Sequence, residues 1–411
     1  MTVTTLTGRS LAPDLARGFM LLAIALAHAP VFVSGAAPGV LDGVAAFLDH
    51  LLAHNQARPM FVFLFGYALG QLAYRHKGDW PSLKGLLRRR GRWLIVIGFA
   101  HGVLLVPLDI VAVYGLTLLV LAPLVRARDS VLCWTAALTL VPAALVVSGP
   151  IILAYAGAVP ITPAEIMPAD LGSHLLSGLQ LWPFKTVLGT IDVVPGMLLG
   201  IWAARRRILD EPESHKTLLR RVTVICLGVA LVGRLPGALL MAGAWTAPWP
   251  GAVVLAHTLT GYAGGVGLAA LVGLVATRAD RGRTSTPAAM GPGPLTTAMP
   301  MASLRSAGSV ARRRRLPPLW SLRSRRSSRR RHSLAIAALG QRSLTFYLLQ
   351  SVVFLVLFYP FTLDLGDDLG FAAASGIAIA IWAVSVPAAD LMRRAGHRGP
   401  AELLLRRLVY R

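Results

Sequence analysis

Three ionisable residues near the amino terminus have the types and spacing that group-transfer chemistry needs. Asp14 and Arg17 lie three positions apart, so on a helix they share a face and can pair. Arg17 and His28 lie eleven positions apart, which places them on one face about 16 Å apart along the axis. An imidazole can act as a general base or as a transient acyl carrier. Two interpretations stay open: transfer chemistry across a membrane, or an interfacial anchor at Arg17 with a packing hydrogen bond at His28.

The composition predicts an all-α, polytopic transmembrane helix bundle. Of 411 residues, 55% are hydrophobic and 14% are charged, against a usual charged share of about 25%. The net charge of +23 lies in short basic runs beside apolar segments, which favours contacts with anionic lipid headgroups over nucleic-acid binding. Cys133 and Cys226 lie inside apolar segments and indicate neither a disulfide framework nor a metal site. We therefore expect the lipid bilayer as a partner and no bound metal. The oligomeric state is left open.

About ten segments are long and apolar enough to cross a hydrocarbon core of ~30 Å. They cover residues 15–34, 59–74, 93–107, 110–125, 131–156, 186–204, 222–244, 251–276, 344–361 and 371–392. Every second connection is basic, and the intervening ones carry acidic residues such as Asp42, Asp170 and Asp367. This alternation predicts that both termini are cytoplasmic.

One connection differs from the others in composition. Residues 278–333 are rich in Ser, Thr, Pro, Gly and Arg and show no apolar periodicity, which is typical of a disordered loop. The chain is therefore expected to divide into helices 1–8 in residues 1–277, a basic cytoplasmic loop in 278–333, and helices 9–10 with a cytoplasmic tail in 334–411. An anionic-lipid or nucleic-acid tether is the other interpretation of the loop.

Several ionisable residues fall inside the predicted spans, where such groups are commonly functional. They are His28, His101, Asp192, Arg234 and His257, with Asp109 just beyond the end of its span. Arg234 is expected to lie in mid-membrane and to need a partner, for which Asp192 and Asp109 are the candidates. Either these residues form a substrate or ion pathway, or they are buried pairs and packing histidines that serve structure alone.

Four blocks of sequence carry a family resemblance. They are residues 14–18, residues 59–66, residues 92–102 with 109–115, and residues 339–351 with 399–402 and 406–407. On these blocks the chain resembles the YeiB-like bacterial membrane proteins (domain of unknown function 418) over nearly its full length. The resemblance implies a multi-pass protein of the bacterial plasma membrane and leaves the activity open.

The chain is also distantly similar to membrane acyltransferases that modify glycans. Those share an Arg-x10-His pattern on the first helix, which Arg17 and His28 fit. The similarity implies acyl transfer from a cytoplasmic thioester donor to an envelope acceptor, with His28 as base or acyl carrier, Arg17 attracting the donor and Arg234 stabilising negative charge. A transporter that uses Arg234, Asp192, His101 and His257 is the alternative, with helix breaks at Pro195 and Pro236. A non-catalytic envelope factor is the third.

Overall fold

The computed structural model describes residues 11–33, 39–157, 167–280 and 331–410, and within these ranges the chain is helical. The predicted basic loop lies almost wholly outside the described residues. The α-helices are α1 Leu11–His28, α2 Val40–Leu52, α3 Ala57–Arg75, α4 Trp80–Leu104, α5 Val111–Leu121, α6 Asp129–Tyr155, α7 Leu171–Arg205, α8 Lys216–Met241, α9 Pro250–Asp280, α10 Arg331–Gly340, α11 Ser343–Phe358, α12 Phe371–Arg394 and α13 Pro400–Tyr410.

In the described part of the chain, six helices are long and apolar enough to cross a membrane: α1 with its 3₁₀ extension to Phe32, α6, α7, α8, α9 and α12. A seventh crossing is possible if α10 and α11 form one span, although they are bent by 78° where they join. The all-helical membrane architecture is confirmed, but the count of ten is not. One reason is α5, whose 11 residues reach only about 17 Å.

Two amphipathic helices, α2 and α13, were not predicted. The 13 residues of α2 are too few to span a bilayer. Its start contacts the start of α12, where Asp42 accepts a hydrogen bond from the backbone N–H of Ala372 at 2.8 Å. The Ala372 and Gly39 N–H groups hold the pKa of Asp42 below its usual value.

The two predicted helix breaks are wrong, because α7 continues through Pro195 and α8 through Pro236.

Close packing of α3 against α7 fixes the framework of the site. At Gly66 an added Cβ would overlap the backbone carbonyl of Met197, and at Gly200 it would overlap that of Phe63. The backbones of α3 and α7 therefore lie so close together that only glycine fits at these two positions. Close packing through small residues is common between membrane helices. Because α1 packs against α3, α9, α11 and α12, its carboxy-terminal end lies among helices rather than at the edge of the bundle.

The outward faces of α6 and α8 are apolar and exposed. Trp134 and Leu138 on α6 keep 69% and 73% of their surface accessible, and Val232 on α8 keeps 74%. Large exposed apolar surfaces are rare on soluble proteins. These faces therefore fit contact with lipid.

Candidate functional site

Arg58, at the first turn of α3, forms an ion pair that joins three helices. Its Nη1 donates to Asp192 Oδ2 on α7 at 2.8 Å. The hydroxyl of Tyr262 on α9 donates to the other carboxylate oxygen, Oδ1, at 2.6 Å. Asp192 is buried, so both of its oxygens are satisfied inside the bundle, as a buried carboxylate requires.

The Arg58 guanidinium is surrounded by helices, yet it faces open space. Besides Asp192, it interacts electrostatically with Tyr114 of α5, His28 of α1 and Tyr347 of α11. Nevertheless 48% of its side-chain surface is accessible. Groups from several helices thus surround the Arg58 side chain, yet about half of its surface is accessible. Arg58 therefore lines a space within the bundle, where it could contact a small anionic or carbonyl group.

A second set of side chains has the order carboxylate, imidazole, hydroxyl. His101 Nδ1 lies 3.0 Å from Asp109 Oδ1, and His101 Nε2 lies 2.8 Å from Ser351 Oγ. If Nδ1 carries the proton and donates to Asp109, then Nε2 is free to accept from the Ser351 hydroxyl. This is the arrangement that activates a serine in acyl transfer. The Ser351 hydroxyl has an alternative acceptor, the backbone carbonyl of Tyr347, at 3.3 Å.

Asp109 and His101 are both held in place by neighbouring groups. The backbone N–H groups of Val111 and Ala112 donate to the Asp109 carboxylate at 3.0 and 2.8 Å, so the start of α5 fixes the acid. Tyr347 packs its ring 5.0 Å from the His101 ring and donates its hydroxyl to the carbonyl of Leu108. A small pocket lined by residues that include Gly102, Asp109, Trp182 and Lys185 borders the acid.

His28 ends α1 beside these groups. It interacts electrostatically with Arg58 and His101, and its surface is partly accessible. Its imidazole makes no hydrogen bond to another residue in the described part of the chain. We call His28, Arg58, Asp192, Tyr262, His101, Asp109 and Ser351 the central polar site.

Arg234 and His257 lie away from these residues and contact the carboxy-terminal end of α2. Arg234 Nε donates to the Leu51 carbonyl at 3.1 Å, and its Nη2 donates to the carbonyls of His50 and His54. His257 Nε2 lies 2.9 Å from the His50 carbonyl. The last carbonyls of a helix lack partners within the helix, and a cation there is favoured by the helix dipole. Arg234 is therefore a buried helix cap.

The predicted partners of Arg234 were wrong. Asp192 is paired with Arg58, and Asp109 is paired with His101. The sequence shows that a fully buried arginine needs acceptors, but it does not show that backbone carbonyls supply them. Arg234 also interacts electrostatically with Asp49, on the last turn of α2.

Asp14 and Arg17 form the predicted pair, with Arg17 Nη1 3.1 Å from Asp14 Oδ1. Gln341, in the turn between α10 and α11, donates to the other oxygen of Asp14 at 2.9 Å. The positive charges of Arg17 and of Arg90, on α4, repel each other. Because Arg17 lies at the opposite end of α1 from His28, the structure separates this cluster from the central polar site.

Sequence reasoning missed three members of the central polar site. Arg58 precedes an apolar segment and resembles an interfacial anchor, while Tyr262 and Ser351 lie in apolar runs without any spacing pattern. Ser351 did stand in the fourth resemblance block, but no nearby acid or histidine in the sequence marked it. It lies 250 positions from His101.

The fold and the central polar site define a multi-helix membrane protein with an enclosed ionisable centre. The family described as "Protein of unknown function (DUF418)" matches residues 203–296 and 319–411. This is the YeiB-like family that the sequence blocks predicted. No curated protein matches the chain.

The matched segments cover the carboxy-terminal part of the molecule, less than the near-full-length resemblance suggested. Arg234, His257, Tyr262 and Ser351 lie within them. Asp14, Arg17, His28, Arg58, His101, Asp109 and Asp192 lie outside. The central polar site is therefore assembled from both parts of the chain.

Proposed function

We propose that this protein transfers an acyl group from a cytoplasmic thioester donor to a hydroxyl or amine acceptor of the cell envelope, at the central polar site. The observation that carries the proposal is the Asp109–His101–Ser351 relay beside His28 and the open guanidinium of Arg58. Acyl transfer needs a base, a group that stabilises negative charge and a water-poor setting. Those three features coincide here.

In the proposed reaction His28 removes the proton from the acceptor. The acceptor oxygen or nitrogen then attacks the thioester carbonyl, and negative charge develops on the carbonyl oxygen. Arg58 stabilises that charge in the role first assigned to Arg234, because Arg234 is occupied by the end of α2. The carbon–sulfur bond breaks, and the departing thiolate takes the proton from His28. The acyl group ends on the acceptor, and a free thiol is released.

The relay gives Ser351 a place in the same chemistry. With the proton of His101 on Nδ1, facing Asp109, Nε2 accepts the proton of the Ser351 hydroxyl at 2.8 Å. In this two-step route Ser351 Oγ attacks the thioester carbonyl, the carbon–sulfur bond breaks, and the thiolate leaves with the proton taken up by His101. The acceptor then attacks the Ser351 ester while His28 takes its proton and passes it to the departing Ser351 oxygen.

Arg17 and Arg90 suit the anionic part of the donor. The two cations are close enough to interact, and no ion pair of Arg90 is found in the described ranges. Arg90 can therefore offer its positive charge to a phosphate group of the donor. This keeps Arg17 in the donor-binding role that the sequence predicted.

Transport has less support than acyl transfer. The transporter interpretation relied on helix breaks at Pro195 and Pro236, and both helices are continuous there. Broken helices at mid-depth are typical of secondary transporters. The histidines and acids expected to form a pathway are instead divided between the central polar site and the cap on α2.

The proposed topology has ten spans and both termini in the cytoplasm of a bacterium. The six long helices supply six of the spans, and α3, α4, α5 and α11 supply the other four. It is supported by the alternation of basic and acidic connections. Reporter fusions after Asp170 and after Asp367 should report the outside. Fusions after Arg90 and Arg315 should report the inside, and a reversed signal would mean that a span was miscounted.

The catalytic proposal is tested by release of free thiol from acetyl-coenzyme A in membranes containing the full-length protein and an envelope extract. His28→Asn should lower turnover by about 10²–10⁴-fold, since it removes the base while an amide preserves packing. Arg58→Met and Ser351→Ala should also lower turnover. Expression and detergent stability of His28→Asn should match the wild type.

His215→Asn is the matched control, because His215 directly precedes α8 and its Nδ1 lies 3.1 Å from the carbonyl of Glu211. It should retain full turnover. A His28→Asn protein as active as the wild type would refute His28 as the base. If the folded wild type releases no more thiol than membranes without it, the acyl-transfer proposal itself fails.

A further inference from the structure

The end of α2 brings together three potential metal ligands. Asp49 and His50 lie on the last turn of the helix, and His54 follows two residues after its end. One ligand atom from each of the three lies within 4.8 Å of the others. His54 Nδ1 is 3.8 Å from Asp49 Oδ2, and the His50 and His54 rings are 4.8 Å apart.

The backbone holds these residues in position. The N–H of His54 donates to the carbonyl of Asp49 at 2.9 Å, which folds the chain back over the last turn of α2. Asn55 then takes a left-handed conformation with φ of 54° and turns the chain toward α3. The caps on the carbonyls of His50, Leu51 and His54 fix the same segment from the other side.

Two of the ligand side chains present buried atoms that lack a partner. The Asp49 side chain is only 5% accessible, and its Oδ1 has no hydrogen-bond partner in the described part of the chain. The same holds for Nδ1 of His50. A buried carboxylate oxygen without a partner is costly, and ion binding is one of the standard explanations for such an oxygen. These unsatisfied atoms belong to the ligand cluster itself.

We infer that Asp49, His50 and His54 bind a divalent transition-metal ion of the zinc class. Two imidazoles and one carboxylate are ligands that zinc accepts, and three protein ligands leave a coordination position open. This inference differs from the sequence-based expectation of no bound metal. That expectation did not consider Asp49 followed by His50 and His54, two histidines four positions apart.

Two features of the surroundings shape the expected affinity. The charge of Arg234, which reaches the carbonyls of the same helix end, works against a bound cation. The Asp49 carboxylate counters it, since that carboxylate and Arg234 attract each other across the cluster. His54 also interacts electrostatically with Arg58, so a metal here would lie at the edge of the central polar site. The inference does not depend on acyl transfer.

The test uses the full-length protein, purified in detergent through an affinity tag that contains no histidine. The protein is stripped with a chelator, dialysed against zinc and analysed by mass spectrometry for metal content. We expect about one zinc per chain. Cobalt substitution should give visible absorption bands of the intensity typical of low-coordinate cobalt.

Asp49→Asn and His54→Gln should each weaken zinc binding at least about tenfold, since outer partners of a metal alone are worth 10–100-fold. His76→Gln is the matched control, because His76 is an exposed histidine hydrogen-bonded to Ser82. It should bind zinc like the wild type. A chelator should also lower the Tm of the wild type but not that of His54→Gln.

Two results would overturn the inference. One is a wild type that binds no more zinc than the Asp49→Asn protein. The other is equal loss in His76→Gln, which would show scattered surface binding. Should Asp49→Asn fail to fold, His54→Gln decides, because the His54 side chain is 26% accessible and tolerates exchange.

Discussion

Replacement of Arg234 by methionine separates a structural role from a catalytic one. Arg234 has no accessible surface and donates to the carbonyls of His50, Leu51 and His54. Methionine is unbranched and apolar, so it fills much of the same volume without donors or charge. We expect a less stable protein whose folded fraction keeps its activity, because Arg234 points to the end of α2 and not to the central polar site.

The size of the effect follows from the remaining donors. After the change, His257 Nε2 still reaches the His50 carbonyl at 2.9 Å, and Gln56 Nε2 still donates to the Leu51 carbonyl at 2.8 Å. The His54 carbonyl loses its side-chain donor. One unsatisfied buried carbonyl costs about 1–3 kcal/mol, and loss of a cation at a partly buried helix end costs up to about 2 kcal/mol. The free energy of unfolding should therefore fall by about 2–4 kcal/mol.

The assay is thermal unfolding in detergent, with acyl-thioester turnover measured well below the Tm. Arg234→Met should lower the Tm by several degrees, and Arg234→Lys should recover part of the loss because it keeps a charge and a donor. Arg221→Met, on an exposed position of the same helix, is the control and should leave the Tm within error. An Arg234→Met protein with unchanged Tm and lost turnover would refute this reasoning and return Arg234 to the reaction.

Three further predictions concern the framework. Gly66→Ala should destabilise the protein by about 1–3 kcal/mol, because α3 and α7 must separate, whereas Gly228→Ala, with open space around it, should be neutral or slightly stabilising in thermal unfolding. Tyr67→Phe removes the hydroxyl that accepts from the backbone N–H groups of Leu209 and Asp210 and should cost about 1–3 kcal/mol. Tyr74→Phe, whose ring is 71% exposed, should cost nothing measurable. Since backbone hydrogen bonds lower the pKa of Asp42, its contribution is complete above pH 3.8 and is lost as the pH falls below that. The Tm difference between wild type and Asp42→Asn should therefore shrink toward zero as the pH is lowered below 3.8.

Much of the fold follows from apolar length alone. The predicted segment 131–156 is α6 with small changes at its ends, and 371–392 is α12. Their prolines did not break them, because in apolar surroundings neighbouring groups compensate for the missing hydrogen bond. By contrast, α2 escaped prediction because its 13 residues carry charges and were taken for a loop.

The site was less predictable, for a physical reason. Burial of an ionisable group can be inferred from its place in an apolar segment, and Asp192, His101 and Arg234 are indeed buried. The partner cannot be inferred that way, since it comes from another helix. Depth suggested that Asp192 would meet Arg234, but the packing of α3 against α7 brings it to Arg58 instead.

The short helix α2 connects the stability of the bundle to the geometry of the site. The last carbonyl groups of α2 lie among other helices, where water cannot hydrogen-bond to them. Arg234, His257 and Gln56 supply the hydrogen bonds instead. Only a few residues separate that capped end from Arg58, which has to meet Asp192. A frayed α2 would therefore displace Arg58. Damage to the cap should therefore lower turnover only in the fraction of molecules whose α2 end is unfolded, and the folded fraction should keep its activity. A bound metal at Asp49 should reduce that loss by holding the end of α2 in place.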